Sequence, residues 1–163
     1  MMCSPLTWNN GVKNRCQNRL SGSPFEKNTL LCMSMPENPW LLQAENDLEM
    51  ARLAFENGYF SQTCYHASQS AEKALKSIII DLGELPPKTH ALNRLKGMLS
   101  HLGLQTSEID DLKLNFLTRM HTSTRYPVED LPPARLFDQS DGEECLRIAE
   151  KIIDYTRRMG QGK

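Results

Sequence analysis

Between Phe60 and Leu82 the apolar residues fall on a helical period. At roughly 100° per residue, Phe60, Cys64, Ala67, Ala71, Ala74, Leu75, Ile78 and Leu82 gather on one side, while Tyr65, Gln69, Glu72, Lys73 and Lys76 gather on the other. A chain built around such a segment must bury one face of a long helix. The three alanines on that face let neighbouring helices approach closely, and Gly83 supplies the stop.

The same punctuation recurs along the chain. Asn38 followed by Pro39 reads as an N-cap with proline in the first turn, opening a helix that runs to about Asn57 and stops at Gly58. Its inward stripe is Leu41, Ala44, Leu48, Ala51 and Phe55. After the Pro86-Pro87 loop, a shorter helix is expected over Thr89–His101, with Leu92, Leu95 and Leu99 inward and Gly103 at its end. A fourth begins near Thr106 or Ser107, carries Ile109, Leu112, Phe116 and Met120, and ends before Arg125-Tyr126-Pro127. A loop with three prolines covers residues 123–139, longer than a helix connection requires. The last helix starts at Ser140 or Asp141, where Ser140/Glu143 or Asp141/Glu144 offers a capping box. It continues through Cys145, Ile148, Ile152 and Tyr155 to Arg157-Arg158, whose charges suit the C-terminal pole. The fold class is therefore all-α, an up-and-down bundle of four main helices plus a short one.

Composition agrees. Aromatics supply only 7% of the 163 residues, too few for the strand-and-turn pattern of a sandwich or barrel. The length excludes a two-domain enzyme. The overall charge of −1 hides a division: residues 1–36 hold four basic residues against one acidic, a net +3, which leaves −4 for the remainder. A body of that sign has no global attraction for nucleic acid, so binding RNA or any anion requires a local basic patch. Residues 1–36 also lack any helical or strand period and read as a disordered extension, with the helical domain spanning 37–160.

The five cysteines, Cys3, Cys16, Cys32, Cys64 and Cys145, are odd in number and irregularly spaced, without a C-x-x-C pair. They indicate reduced thiols in a cytoplasmic protein and no zinc site. No apolar run approaches the ~20 residues that a membrane-spanning helix needs.

No phosphate-binding glycine loop, nucleophile elbow or metalloprotease histidine pair is present. Chemistry must then come from less regular groups. On the polar strip of the second helix, Tyr65 can stack on a base, Gln69 can read its edge, and Lys73 and Lys76 can neutralise phosphate. The plainer reading is a solvated face with Glu72–Lys76 as an i,i+4 pair worth ~0.3–0.5 kcal/mol. His90, expected at the start of the third helix, either caps the loop or orients a ligand; His66, at the edge of the strip, reads as structural or solvated. Arg94 and His101 lie on one helical face, and Arg119, His121 and Arg125 cluster near the end of the fourth helix. Either group could pair a cation with a general base, as metal-free RNA cleavage requires.

Three segments together carry a resemblance. The runs Cys64-Tyr65-His66-Ala67-Ser68-Gln69-Ser70-Ala71-Glu72-Lys73-Ala74-Leu75-Lys76, Lys88-Thr89-His90-Ala91-Leu92 and Thr124-Arg125-Tyr126-Pro127 closely resemble the prokaryotic HEPN domain family. That resemblance implies a helical bundle, commonly a homodimer, often encoded beside a minimal nucleotidyltransferase in a two-component module. Some members are metal-independent ribonucleases with an Arg-x4–6-His motif; others are described as nucleotide-binding. Here Arg119-Met120-His121 is too tight for the motif, and Arg94 to His101 meets it only in spacing. The expectation is a nucleotide or phosphorylated ligand bound by Tyr65, Gln69, Glu72, Lys73, Lys76, Lys88, His90, Arg125 and Tyr126, without cofactor or metal. The alternatives are a metal-independent ribonuclease toxin and a non-catalytic structural or antitoxin-like protein that pairs with a partner through the Ala67, Ala71 and Ala74 face or through exposed helices.

Overall fold

Asn38 does two jobs at the start of the first helix. In the computed structural model, which describes residues 38–160, its side-chain oxygen accepts from the Trp40 amide at 2.9 Å, capping α1 (Pro39–Glu56). Its amide nitrogen donates to the Ser77 carbonyl and to Asp81 at the far end of α2 (Phe60–Asp81), so the two helices run antiparallel. The turn between them is made by Gly58 at φ +74°, a left-handed conformation that a side chain would strain.

α2 is the central element and packs against every other helix: α1, α3 (Leu92–His101), α4 (Leu114–Ser123) and α5 (Gln139–Gly160). Ala67, Ala71 and Ala74 are fully buried there, as are Ala44 and Ala51 of α1 and Ala149 of α5, and these small side chains permit close helix seams. Gly142 serves the same end in α5, because a Cβ there would lie 2.9 Å from the Phe55 ring, which meets Phe60 edge-on. The buried Tyr155 hydroxyl donates to the Gln105 carbonyl at 2.9 Å and fastens α5 to the loop after α3. Cys64 and Cys145 face each other in the core as free thiols. A hydrogen bond between them, together with burial, pushes the Cys145 thiol far above its ordinary range.

The observed bundle has three long helices and two of ten residues, because the fourth helix is interrupted. A short 3-10 turn covers Ser107–Ile109, and α4 starts only at Leu114. Between them Lys113 adopts φ −74°, ψ 60°, with the Leu114 amide 2.7 Å from the Leu112 carbonyl, an inverse γ-turn that resets the helical phase. The buried positions become Leu114, Leu117 and Met120, and Phe116 is only half-buried. α3 also starts later than Thr89, because the Thr89 hydroxyl accepts from the Ala91 amide and Ala91 is extended. α5 starts one residue earlier than expected, behind a different capping box. Asp138 accepts from the Asp141 amide at 3.1 Å and Asp141 returns to the Asp138 amide at 3.2 Å. The proline loop holds a Val128–Leu131 bridge and a 3-10 turn at Pro133–Arg135. Among the described residues there is no helix long and apolar enough to cross a membrane. The extension expected over residues 1–36 lies outside the described residues, as do Cys3, Cys16 and Cys32.

Candidate functional site at the α2–α4 face

The polar strip of α2 is not a solvated face. Glu72 and Lys76 pair at 2.8 Å as the i,i+4 spacing predicts, but they are only 8% and 9% exposed, so the pair works in a less polar medium than a surface bridge. The second Glu72 oxygen lies 2.9 Å from His90 Nδ1. His90 belongs to the extended segment two residues ahead of α3, away from the helix start where it was expected, and its side chain is 58% exposed. A buried carboxylate thus orients an exposed imidazole.

The ring of His90 stacks on that of His121 from α4, with centroids 3.8 Å apart and planes 16° from parallel. His121 is itself held from both sides. The Gln69 amide is 2.8 Å from Nδ1, and the Arg125 guanidinium is 3.2 Å from Nε2 while also donating to the His121 carbonyl at 2.9 Å. A guanidinium can only donate, so Nε2 carries the lone pair and Nδ1 the proton; because the Gln69 atom facing Nδ1 is its amide nitrogen, this tautomer requires the Gln69 amide to turn over so that its carbonyl accepts. This assigns His121 as a neutral imidazole. Burial, followed by the neighbouring His90 and Arg125, holds its proton affinity below the ordinary value against the pull of Glu72. Arg125 lies near two aromatic rings, 5.8 Å from the Tyr65 centroid and 5.4 Å from that of Tyr126.

Tyr65, Gln69, Glu72, Lys76, His90, Arg125 and Tyr126 therefore meet on one face. Lys73 does not join them, because it pairs with Asp47 of α1. Lys88 is exposed on the loop, and Arg94 and His101 are exposed on α3. Arg119 is exposed and about 200° around the helix from His121, so the two do not converge. His121 is central to the face, and the cation beside it is Arg125, one helical turn later. That i,i+4 spacing was the signal in the sequence. Its contact with Gln69 and His90 was not readable there, since these come from other elements. His66 is half-buried: its Nδ1 is enclosed without a partner, and burial lowers its proton affinity.

A cavity of about 390 Å³ lies elsewhere, between the first turns of α4 and α5. Its charged lining is engaged internally, with both Glu144 oxygens on Arg147 at 2.7 and 2.9 Å and Lys113 at 3.5 Å. This pairing holds the Glu144 carboxyl below its ordinary range. Among the described residues, a different trio offers metal-type donors: Glu72, His90 and His121 each present one donor atom within 4.8 Å of the others.

With the other helices packed around α2 and a polar face on its α4 side, the protein is a small helical-bundle domain. The HEPN domain family model matches residues 38–159, and the chain belongs to that family. Over 127 residues it is 25% identical to "Putative toxin MJ1304" of Methanocaldococcus jannaschii, covering 72% of this chain and 84% of that protein. Among solved structures it is similar to TT1696 from Thermus thermophilus, with a TM-score of 0.66, 26% identity, and coverage of 74% of this chain and 94% of that one. It is also similar to ST0689, an archaeal HEPN homologue, with a TM-score of 0.59, 30% identity, and coverage of 76% and 95%.

Proposed function

We propose that the α2–α4 face binds a nucleotide or another phosphorylated ligand, and that the chain is the homodimeric partner of a minimal nucleotidyltransferase in a two-component, toxin–antitoxin-like module. The observation that carries the binding reading is Arg125. Its guanidinium is held beside Tyr65 and Tyr126 and anchored on the His121 carbonyl, at the exposed edge of a face whose imidazoles are already stacked. A guanidinium suits bidentate contact with phosphate, and neighbouring rings suit a base. Family membership and the toxin named in Methanocaldococcus jannaschii support the module. A calorimetric screen of nucleotides in chelator-treated buffer tests the reading: binding by at least one is expected, and none at millimolar concentration removes it. Co-purification with a neighbouring nucleotidyltransferase tests the partner.

A second reading, a metal-independent ribonuclease toxin, gains from the His121–Arg125 pair, which places an unprotonated imidazole nitrogen beside a cation. Growth arrest on expression, relieved by His121→Ala, would favour it. Harmless overexpression would count against it.

A further inference from the structure

Two imidazoles and a buried carboxylate from three separate elements converge where no spacing in the sequence signals a metal. We propose that Glu72, His90 and His121 form a binding site for a first-row divalent ion of the zinc type. Three observations carry the inference. The donor atoms lie within 4.8 Å of one another, so modest side-chain movement brings them around one ion. Two histidines and a carboxylate are a donor set suited to zinc, cobalt or nickel, and three protein ligands leave a coordination position open. The donors are also braced from behind: Lys76 holds the other Glu72 oxygen and Gln69 holds His121 Nδ1, leaving the Nε2 lone pair as the ligating atom of His121.

The geometry also states what binding must change. Near-parallel rings 3.8 Å apart cannot both aim a lone pair at one ion, so His90 has to rotate out of the stack. Its exposed position ahead of α3 permits this. Arg125 must also release His121 Nε2, and its charge, like that of Lys76, opposes a cation. Removing Arg125 should therefore tighten the metal while weakening a nucleotide. The inference stands apart from the nucleotide reading, and these opposite signs separate their failures.

The test titrates the full chain with Co2+, in buffer free of phosphate and nucleotide, and reads the visible d–d spectrum. One ion per chain with nitrogen and oxygen ligation is expected. The affinity should fall by about tenfold or more in His90→Ala and in His121→Ala, stay unchanged in His101→Ala, and rise in Arg125→Ala. His90 is exposed, so its variant does not depend on tolerance of a core change. The inference is overturned if no spectrum develops at millimolar Co2+ or if the spectrum survives both histidine variants. A thiolate charge-transfer band lost in the Cys3→Ser/Cys16→Ser/Cys32→Ser variant also overturns it.

Discussion

Two polar strips share α2 about 90° apart, and they are built from similar residues. Toward α1 lie His66, Ser70 and Lys73, with Lys73 paired to Asp47; toward α4 lie Gln69, Glu72 and Lys76, with Glu72 paired to both Lys76 and His90 and Gln69 to His121. The α1 strip is closed. Ser70 is fully buried, its hydroxyl has no partner, and the His66 Nδ1 is enclosed. The α4 strip is open at its edge, where His90 and Arg125 reach the surface. The contrast teaches that charge and residue type along a helix do not identify a site. What distinguishes one is a buried, paired interior joined to exposed groups that still have donor or acceptor capacity.

The largest expected effect separates stability from binding. Lys76→Ala leaves the Glu72 carboxylate buried without its cation and should cost about 3 kcal/mol in urea unfolding, whereas Glu72→Gln/Lys76→Met, which removes both charges, should cost much less. That double variant should nevertheless abolish ligand binding. Asp47→Asn/Lys73→Met on the closed strip should leave binding intact. Equal effects of the two double variants on binding would erase the distinction between the strips.

A smaller effect of opposite sign is expected on the closed side. Ser70→Ala removes a buried, unpartnered hydroxyl and adds helix propensity, so it should stabilise the protein by about 1 kcal/mol. Destabilisation would mean that the hydroxyl has a partner in solution.

The smallest effect is on pH. Burial lowers the proton affinities of His66 and His121 below the ordinary 6.5, so the unfolded chain takes up these protons first as the pH falls. Stability from these two groups is complete above pH 6.5 and is lost as acidification proceeds toward their lower folded values. Melting midpoints followed across this range should fall on acidification, and His66→Phe should reduce the decline by the closed strip's share. A midpoint that rises on acidification would contradict both assignments.

Most of the fold could be read from local chemistry. The Asn38-Pro39 cap, the stops after α1, α2 and α3, and the buried face of α2 depend on residues close in sequence. The γ-turn at Lys113 could not be read, because apolar residues at Ile109, Leu112, Phe116 and Met120 continue a helical period straight through it. Part of the site was legible as the strip on α2. The burial of Glu72 and Lys76, the diversion of Lys73 to Asp47 and the stacking of His90 on His121 were not, because each is decided by a neighbouring element.

The central claim is that Arg125 at the α4 edge, and not the lysine of the closed strip, receives the phosphorylated ligand. Isothermal titration of the tightest-binding nucleotide into wild type, Arg125→Ala and Lys73→Ala tests it most directly. The account predicts unchanged affinity for Lys73→Ala and a loss of about tenfold or more for Arg125→Ala, as expected when a charged hydrogen-bond donor is removed. Undiminished binding by Arg125→Ala would contradict it.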